Sequence, residues 1–241
     1  MLESVLRGIS GVRRVWFFDE IPSTQTFLEN VEHLTIGDVA VARHQSEGRG
    51  RLDRTWEDVD FGSVLLSIAL PQHPLLSLAV GVAVHDVLSR HTSHLSLKWP
   101  NDIVVSQDNN YRKVGGIITT LGNGEIAIAG IGINLLPPPD QERALGLADL
   151  VEASLDVSQL INALVSRVLE VSAFDRHDVI SEYRQRTSTI SKDVRIKVVN
   201  GKSVYGHVTN IGDDGSLLIS SDNGIIGVFS GDVEYLRFGK D

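Results

Sequence analysis

The feature that most constrains the fold is a group of short apolar segments between residues 95 and 135, separated by residues typical of tight turns. The predicted strands are 95–99, 103–105, 114–121 and 125–135. The turns are predicted at Asp108, Asn109 and Asn110, and at Gly122, Asn123 and Gly124. Asn, Asp and Gly supply the backbone conformations that short hairpins need. Hairpins join antiparallel strands, so this part of the chain predicts an antiparallel sheet.

Further strands and several helices flank this group. Alternating or continuous apolar segments predict strands at 13–19, 38–43 and 62–70. Helical spacing and capping residues predict helices at 24–31, 75–88, 157–171 and 179–186, the first of them capped by Ser23. We therefore expect an α+β fold, with a mixed, largely antiparallel sheet and helices on one face.

The last 50 or so residues show a different pattern of short strands and frequent turns. Strands are predicted at 194–199, 203–210, 216–220 and 225–229. They are separated by Asn200 and Gly201, by Asp213, Asp214 and Gly215, and by Asn223 and Gly224. Four or five short strands in so short a segment indicate a small β-barrel of the SH3 type. We expect two domains, 1–190 and 191–241.

Composition excludes several classes of protein. The 241 residues include no cysteine and carry a formal charge of −9, so disulfides, thiolate nucleophiles and cysteine metal sites are excluded. There is no run of about 18 apolar residues for a membrane helix and no apolar core of a secretory leader, so we expect a cytoplasmic protein. The acidic balance argues against general affinity for DNA. The short segment before the first strand leaves no room for a helix-turn-helix.

An arginine-rich loop at residues 43–56, RHQSEGRGRLDRTW, stands out in this acidic chain. It holds Arg43, Arg49, Arg51 and Arg54, and two of these alternate with Gly48 and Gly50. Glycine lets the backbone approach a ligand closely, and arginine binds phosphate or carboxylate through two donors at once. The loop therefore favours capture of a small anion, although a solvated surface loop has the same composition.

Two other segments place cations or glycines at the ends of predicted strands. In the KWPND segment at 98–102, Lys98, Asn101 and Asp102 cluster at the end of a predicted strand, where a rigid sheet presents ligand-binding groups. In the KVGGI segment at 113–117, a lysine precedes a Gly-Gly pair, and GIGIN at 130–134 adds a second glycine-bearing strand. Glycine within a strand marks close approach of a ligand or a bulge. Two such strands side by side make a flat slot without side chains.

Together these segments resemble one family, the biotin protein ligases. The matching residues are Ser23 and Thr24, the segment from Gln45 to Arg51 with its alternating Gly and Arg, Arg54 and Trp56, KWPND, KVGGI and GIGIN, in the family's order. The resemblance covers residues 13–187, and the C-terminal strands match the family's small domain. Gln25 departs from the pattern, because the family usually has Asn there. The DNA-binding domain of the repressor-type members is also missing, so the chain resembles the short, purely enzymatic class.

The resemblance implies two half-reactions in one pocket. The carboxylate of biotin first attacks the α-phosphate of ATP, which gives biotinyl-5′-AMP and pyrophosphate. A lysine of a biotin carboxyl carrier domain then attacks the acyl carbon and releases AMP. The loop is expected to be open or disordered without ligand and closed over the adenylate, which protects it from water. ATP and Mg²⁺ are the implied cofactors, no DNA or membrane partner is expected, and either a monomer or a homodimer is possible.

The resemblance also assigns residues to each ligand. Biotin is placed at Ser23, Thr24, Gln45, Gly48, Arg49, Lys113, Gly115, Gly116 and Ile117. ATP is placed at Arg51, Arg54, Trp56, Lys98, Asn101, Asp102 and Asn134. Lys113, Arg49 and Arg51 are the predicted catalytic cations, and Asp102 is a candidate ligand of Mg²⁺ through the ATP phosphates.

Two alternatives remain at this point. A lipoate or octanoate ligase shares the fold family, but its RRxxGGG motif is not present in this sequence. The second alternative is a non-catalytic adaptor that binds peptides through the SH3-like barrel. Against it, the only aromatic residues of that region are Tyr205, Phe229, Tyr235 and Phe238.

Overall fold

The computed structural model describes residues 2–52, 54–58, 61–107, 110–122, 124–138, 142–151, 154–198, 203–222 and 224–236. The helices are α1 Leu2–Arg7, α2 Thr24–Glu29, α3 Leu76–Leu88, α4 Val157–Val171 and α5 Arg176–Arg186, with a 3-10 helix at Leu147–Leu150. The predicted turns at 108–109, 123, 200–201 and 223 lie outside the described residues. No helix within the described ranges has the length and apolar character needed to span a bilayer.

Seven strands form the larger sheet. They are β1 Val15–Ile21, β2 Val39–Gln45, β3 Ser63–Pro71, β4 Leu95–Lys98, β5 Asp102–Gln107, β6 Asn110–Leu121 and β7 Ile126–Asn134. Their order is β1-β2-β3-β7-β6-β5-β4. The pair β1 and β2 is parallel and every other neighbouring pair is antiparallel. The expected mixed, largely antiparallel sheet is therefore confirmed.

The two faces of this sheet are covered differently. Along β7, Ala129, Ile131 and Ile133 point to one face and pack with the buried side chains of α3 and α4. The opposite face carries α2, whose Leu28 packs against Ala40 and Ile128 in a separate small cluster. The expectation of helices on one face is therefore wrong for α2. Because successive strand residues point to opposite faces, one strand serves both clusters.

The C-terminal segment forms a second, antiparallel sheet. Its strands are β8 Asp193–Lys197, β9 Ser203–Ile211, β10 Leu217–Ser221, β11 Gly224–Val228 and β12 Asp232–Tyr235. Their order is β11-β10-β9-β8-β12. Within the described residues the two outer strands do not pair with each other, so the sheet is open and the expected barrel is not confirmed.

The two sheets share one continuous apolar core. Val194 and Ile196 of the second sheet belong to the same buried cluster as the side chains of α3 and α4. The indole of Trp99, which follows β4, donates from Nε1 to the carbonyl of Gly215 at 3.0 Å. The C-terminal sheet is thereby fixed against the end of the larger sheet where the KWPND segment lies.

Candidate active site

A cavity of about 460 Å³, including its open mouth, lies on the face of the large sheet that carries α2. Its walls come from β3, β6, β7, the start of α2 and the arginine-rich loop. Ten of the predicted site residues line it: Ser23, Thr24, Gln45, Arg49, Arg51, Trp56, Asn101, Lys113, Gly116 and Ile117. The structure therefore brings most of the separate motifs to a single place.

The floor of the cavity is made by glycines of β6 and β7. A Cβ atom on Gly132 would lie 2.6 Å from the indole of Trp56, and one on Gly130 would lie 2.6 Å from Oε1 of Gln25. A Cβ on Gly116 would lie 2.8 Å from Nζ of Lys113. None of the three positions has room for a methyl group unless the neighbouring side chain moves. The slot without side chains that the sequence predicts is present, and Trp56 rests on it.

Gly115 takes a different position. A Cβ atom there would face the carbonyl of Gly132 at 2.9 Å and the side chains of Ile133 and Ile103, which belong to the apolar core. Gly115 does not line the cavity, whereas its neighbour Gly116 does.

Residues 48–52 and 54–56 form the two sides of a small hairpin, which we call the arginine hairpin. Gly50 N donates to the carbonyl of Arg54 at 2.7 Å, and Trp56 N donates to the carbonyl of Gly48 at 2.8 Å. Any side chain at position 48 would collide with the Trp56 backbone, because a Cβ would lie 2.4 Å from its carbonyl oxygen. Gly48 therefore shapes the hairpin rather than the cavity wall. The expected opening of this segment without ligand stays a prediction.

One end of the cavity is polar and buried. Thr24 donates from its backbone N to Oε1 of Gln45 at 2.7 Å, and its hydroxyl lies 2.9 Å from that of Ser67. The Ser67 hydroxyl also donates to Oε1 of Gln25 at 3.1 Å. Ser23 caps α2, accepting from Thr26 N. These groups offer several donors and acceptors to a small polar ring at that end.

Cationic side chains surround the other end. Lys113 Nζ lies 2.7 Å from Oδ1 of Asp102 and 5.4 Å from the ring centre of Trp56. Arg51 donates to Oδ1 of Asn101 at 2.8 Å. Burial lowers the pKa of Arg51, and the nearby Asp102 opposes that shift. Arg51 and Lys113 line the same cavity, and a partly desolvated guanidinium attracts anions strongly because the low dielectric strengthens the interaction.

Arg49 enters the cavity from the hairpin but is held from the side of α2. Its Nη1 donates to Oε2 of Glu29 at 2.7 Å. The carboxylate of Glu29 is about one-quarter exposed. Arg49 therefore stands between the cavity and an acidic residue that the sequence did not single out.

Comparison with known proteins agrees with this geometry. The family model for the biotin/lipoate A/B protein ligases matches residues 17–136. The biotin–[acetyl-CoA-carboxylase] ligase of Mycobacterium tuberculosis is 29% identical over 218 residues, which cover 83% of this chain and 80% of that protein. The chain belongs to the biotin/lipoate A/B protein ligase family.

Two further relatives support this assignment. The bifunctional ligase/repressor BirA of Escherichia coli is 28% identical over 234 residues, 89% of this chain and 71% of that protein. The solved structure of a biotin protein ligase from Aquifex aeolicus in complex with biotin and ATP is 25% identical. It superposes with a TM-score of 0.80 over 94% of this chain and 100% of that one.

The predicted nucleotide residues of this family member divide into two groups. Arg51, Trp56 and Asn101 line the cavity. The other four do not line the cavity but lie next to residues that do: Arg54, Lys98, Asp102 and Asn134. Asn134 is buried and lies on the same face of β7 as Gly132.

The C-terminal sheet reaches this border. Arg54 of the arginine hairpin forms an ion pair with Asp232 on β12. The ammonium of Lys98 lies 5.2 Å from the ring centre of Tyr235, also on β12. Burial lowers the pKa of Lys98, and the charge of Asp102 opposes that shift. The second sheet thus contacts the residues predicted to bind ATP.

The carboxylate of Asp102 lies at this border, 2.7 Å from the ammonium of Lys113. Among the described residues, the one group of three acidic or histidine side chains close enough to share an ion is Asp175, His177 and Asp178, which is exposed and does not line the cavity. Mg²⁺ commonly binds one or two carboxylates together with substrate phosphates. Asp102 fits that mode of binding.

Some cavity residues were not among the predicted site residues. Ser67 and Leu65 come from β3, Ile118 from β6, and Gly130 and Gly132 from β7. The glycine spacing in GIGIN predicted the floor of the cavity, but Gly130 and Gly132 were not assigned to a ligand. Ser67 lies in the middle of the apolar strand β3. Its hydroxyl, between apolar neighbours, was the only sequence signal that could have indicated a role in the site.

Proposed function

We propose that this protein activates biotin with ATP to biotinyl-5′-AMP and transfers the biotin to a lysine of a biotin carboxyl carrier domain. One observation carries the proposal. A single cavity joins a glycine floor and a polar end to the cations Arg49, Arg51 and Lys113. Two of the relatives named above are biotin ligases by name, and one of these two was solved with both biotin and ATP.

The reaction joins two anions, and this determines what the residues must do. In the first step a carboxylate oxygen of biotin attacks the α-phosphorus of ATP, and pyrophosphate leaves. Both reactants are negative and repel each other unless cations lie between them. Lys113 is assigned to the carboxylate and the α-phosphate, with Arg49 and Arg51 beside it. Their positive charge stabilises the negative charge that develops on the phosphoryl oxygens.

The polar end is assigned to the ureido ring of biotin. That ring has two N–H donors and one carbonyl acceptor, and Ser23, Thr24 and Gln45 provide matching groups. The backbone at Gly116 and Ile117 completes the assigned biotin site. Gly115 and Gly48 do not line the cavity, so their part is indirect: Gly115 packs against the core and Gly48 shapes the arginine hairpin. The apolar part of the ligand is assigned to the apolar lining of the cavity, which includes Leu65 and Ile118, beside the Trp56 indole that covers Gly132.

The nucleotide is assigned to the border with the C-terminal sheet. Trp56 offers a flat ring for stacking, and Arg54 and Asn134 lie on the same side. Lys98 and Asn101 face the phosphates. Asp102 is the residue that would hold Mg²⁺, which supplies charge neutralisation on the phosphate oxygens when it is bound.

The second half-reaction requires a protein acceptor. The lysine amine attacks the acyl carbon and forms a tetrahedral intermediate. When the intermediate collapses, the bond between the acyl carbon and the bridging oxygen breaks, and AMP leaves with that oxygen still bound to phosphorus. We assign residues 1–190 to the catalytic domain and residues 191–241 to a small domain of the SH3 type that borders the nucleotide and helps to dock the acceptor.

Calorimetric titration tests the proposal directly. Biotin is titrated first, then ATP with Mg²⁺, while pyrophosphate release is followed and the adenylate is identified by mass. The expected result is biotin binding, stoichiometric pyrophosphate and an adenylate that disappears when a carrier domain is added. A carrier domain with its lysine replaced by arginine is the matched control.

The alternatives give other results in the same experiment. If lipoate replaces biotin as the activated acid, the protein is a lipoate ligase. If neither acid releases pyrophosphate while the C-terminal sheet binds peptides, the enzymatic assignment is wrong and the adaptor alternative holds.

A further inference from the structure

A chain of hydrogen bonds runs from the arginine hairpin to the buried polar end of the cavity, and Glu29 lies at its centre. Its Oε2 accepts from Arg49 Nη1 at 2.7 Å. Its Oε1 accepts from the hydroxyl of Thr120 at 2.8 Å. That hydroxyl in turn accepts from Nε2 of Gln25 at 2.7 Å. Glu29 does not line the cavity, so its effect passes through these neighbours.

The protons in this chain have one consistent arrangement. An ionised carboxylate only accepts, so the single hydroxyl proton of Thr120 goes to Glu29. Thr120 then accepts from Gln25, whose second amide proton goes to the carbonyl of Ile128 at 3.1 Å. Both amide protons of Gln25 are thereby used, and its oxygen must face Ser67. The carboxylate of Glu29, acting through Thr120, and the carbonyl of Ile128 thus favour the same orientation of the buried amide of Gln25.

The fixed amide has consequences for the cavity. Gln25 is 2% exposed, and its oxygen lies where a Cβ on Gly130 would collide with it. If the amide turned over, a nitrogen would face the hydroxyl of Ser67 and an oxygen would face that of Thr120. The donors and acceptors at the polar end would then change places.

The same carboxylate holds the arginine hairpin. Among the described residues, Arg49 donates its side-chain hydrogen bonds from Nη1, to Glu29 and to the hydroxyl of Thr26 at 3.4 Å. This leaves Nε and Nη2 of Arg49 for a ligand. A charge-assisted hydrogen bond is about twice as strong as a neutral one, so it orients the guanidinium effectively.

We propose that Glu29 is a positioning residue that couples closure of the arginine hairpin over the adenylate to the hydrogen-bond order of the polar end of the cavity. This inference rests on the proposed function, since the ligands are biotin and its adenylate. Glu29 holds Arg49 through one oxygen and the Thr120–Gln25 pair through the other. Removal of its charge loosens both ends together.

The test compares Glu29→Gln with Glu32→Gln. Glu32 is an exposed carboxylate three residues away, with no ion pair to another described residue, and serves as the matched control. Two quantities are measured: KM for biotin, and the rate at which purified enzyme loses bound biotinyl-5′-AMP. Glu29→Gln is expected to raise both by about tenfold, as for loss of one charged hydrogen bond. Glu32→Gln is expected to leave both at the wild-type values.

A double-mutant cycle shows whether the effect passes through Arg49. In an Arg49→Gln background, Glu29→Gln is expected to raise the rate of adenylate loss by less than about twofold, because the partner is already missing. KM for biotin still rises in that background, because the Thr120 arm remains.

The proposal is overturned if Glu29→Gln accelerates adenylate loss equally in both backgrounds, or behaves like Glu32→Gln. If Glu29→Gln lowers the melting temperature strongly, Thr120→Val replaces it. That variant removes only the hydroxyl and is expected to raise KM for biotin severalfold, and an unchanged KM overturns the proposal. A wild-type protein that forms no adenylate at all overturns the proposed function itself.

Discussion

The two faces of the seven-stranded sheet are made by the same strands but have opposite properties. On one face Ile131 and Ile133 of β7 are buried under α3 and α4 in a continuous apolar core. On the other face Gly130 and Gly132 leave a floor without side chains, and polar and cationic groups surround it. Alternation along a strand lets neighbouring residues serve stability and chemistry separately.

This difference predicts that the two properties can be changed independently. The apolar face gains its stabilisation from close packing, which any loss of volume weakens. The cavity face gains its function from the absence of side chains and from charge, and neither contributes much to packing. Substitutions of adjacent residues on one strand therefore test the comparison directly.

The largest effect is expected for Lys113→Ala on the cavity face. Loss of one preorganised electrostatic contact costs about 10²- to 10³-fold in rate. The side chain is one-third exposed, so the melting temperature should change little. Pyrophosphate release and a thermal melt are the two measurements. Wild-type rates of pyrophosphate release would contradict the assignment of Lys113.

Next in size is the effect of Ile133→Ala on the apolar face. Ile133 is fully buried, and its truncation should lower the free energy of unfolding by about 3 kcal/mol. That corresponds to a fall of roughly 10 °C in melting temperature for a chain of this length. The turnover number, measured well below the melt, should stay within about twofold of wild type. A large loss of turnover at low temperature would mean that the two faces are not independent.

Gly132→Ala tests the residue next to it, with the opposite expectation. The added methyl group collides with the indole of Trp56 at 2.6 Å, so the ring must move off the floor. A displacement of that size should reduce adenylation by about tenfold to 10²-fold. The melting temperature should fall less than in Ile133→Ala. Equal losses of stability in the two variants would show that the floor is part of the packed core.

The smallest effect concerns Asp38, which belongs to neither face. Burial alone would raise the pKa of Asp38, but hydrogen bonds from Arg14 and from Thr35 N outweigh it and hold the pKa below its ordinary value. The charged form is therefore favoured in the folded state. The ionised Asp38 therefore stabilises the folded protein at pH values above the unfolded pKa of about 3.9. This stabilisation is lost as the pH falls through the lower pKa of the folded state.

Asp38→Asn tests this contribution. At pH 7 the variant should be less stable by about 1 kcal/mol, which is the loss of one charged partner of Arg14. Melting curves between pH 7 and strong acid should show a flatter decline in the variant than in the wild type. A wild-type decline as flat as that of the variant would contradict the pKa assignment.

Much of the fold could be predicted from the sequence, because its patterns are local. The apolar period and the capping Asp156 define α4, which was predicted at 157–171 and is observed at Val157–Val171. Apolar alternation located the strands of the large sheet to within a few residues. The short helix α1 was not predicted, and neither was the position of α2, because a six-residue amphipathic helix does not indicate which face of a sheet it will cover.

The site residues that could be predicted are those that belong to continuous sequence motifs. The Gly and Arg residues of the arginine hairpin and the Lys113 segment carry recognisable chemistry on their own. Ser67, Thr120 and Glu29 do not, because each acquires its partner from a segment that is distant in sequence. Thr120 and Glu29 are 91 residues apart and meet on the face of the sheet that carries α2.

Residue type and spacing over a short length were enough to predict the strands, the main helices, the glycine floor and the cluster of cations. The tertiary structure alone decided that α2 covers the cavity face, that Gly115 points into the core while Gly116 lines the cavity, and that Glu29 joins the two ends of the site. The physical reason is that hydrogen bonds and contacts between distant segments depend on strand order and register, which local patterns do not specify.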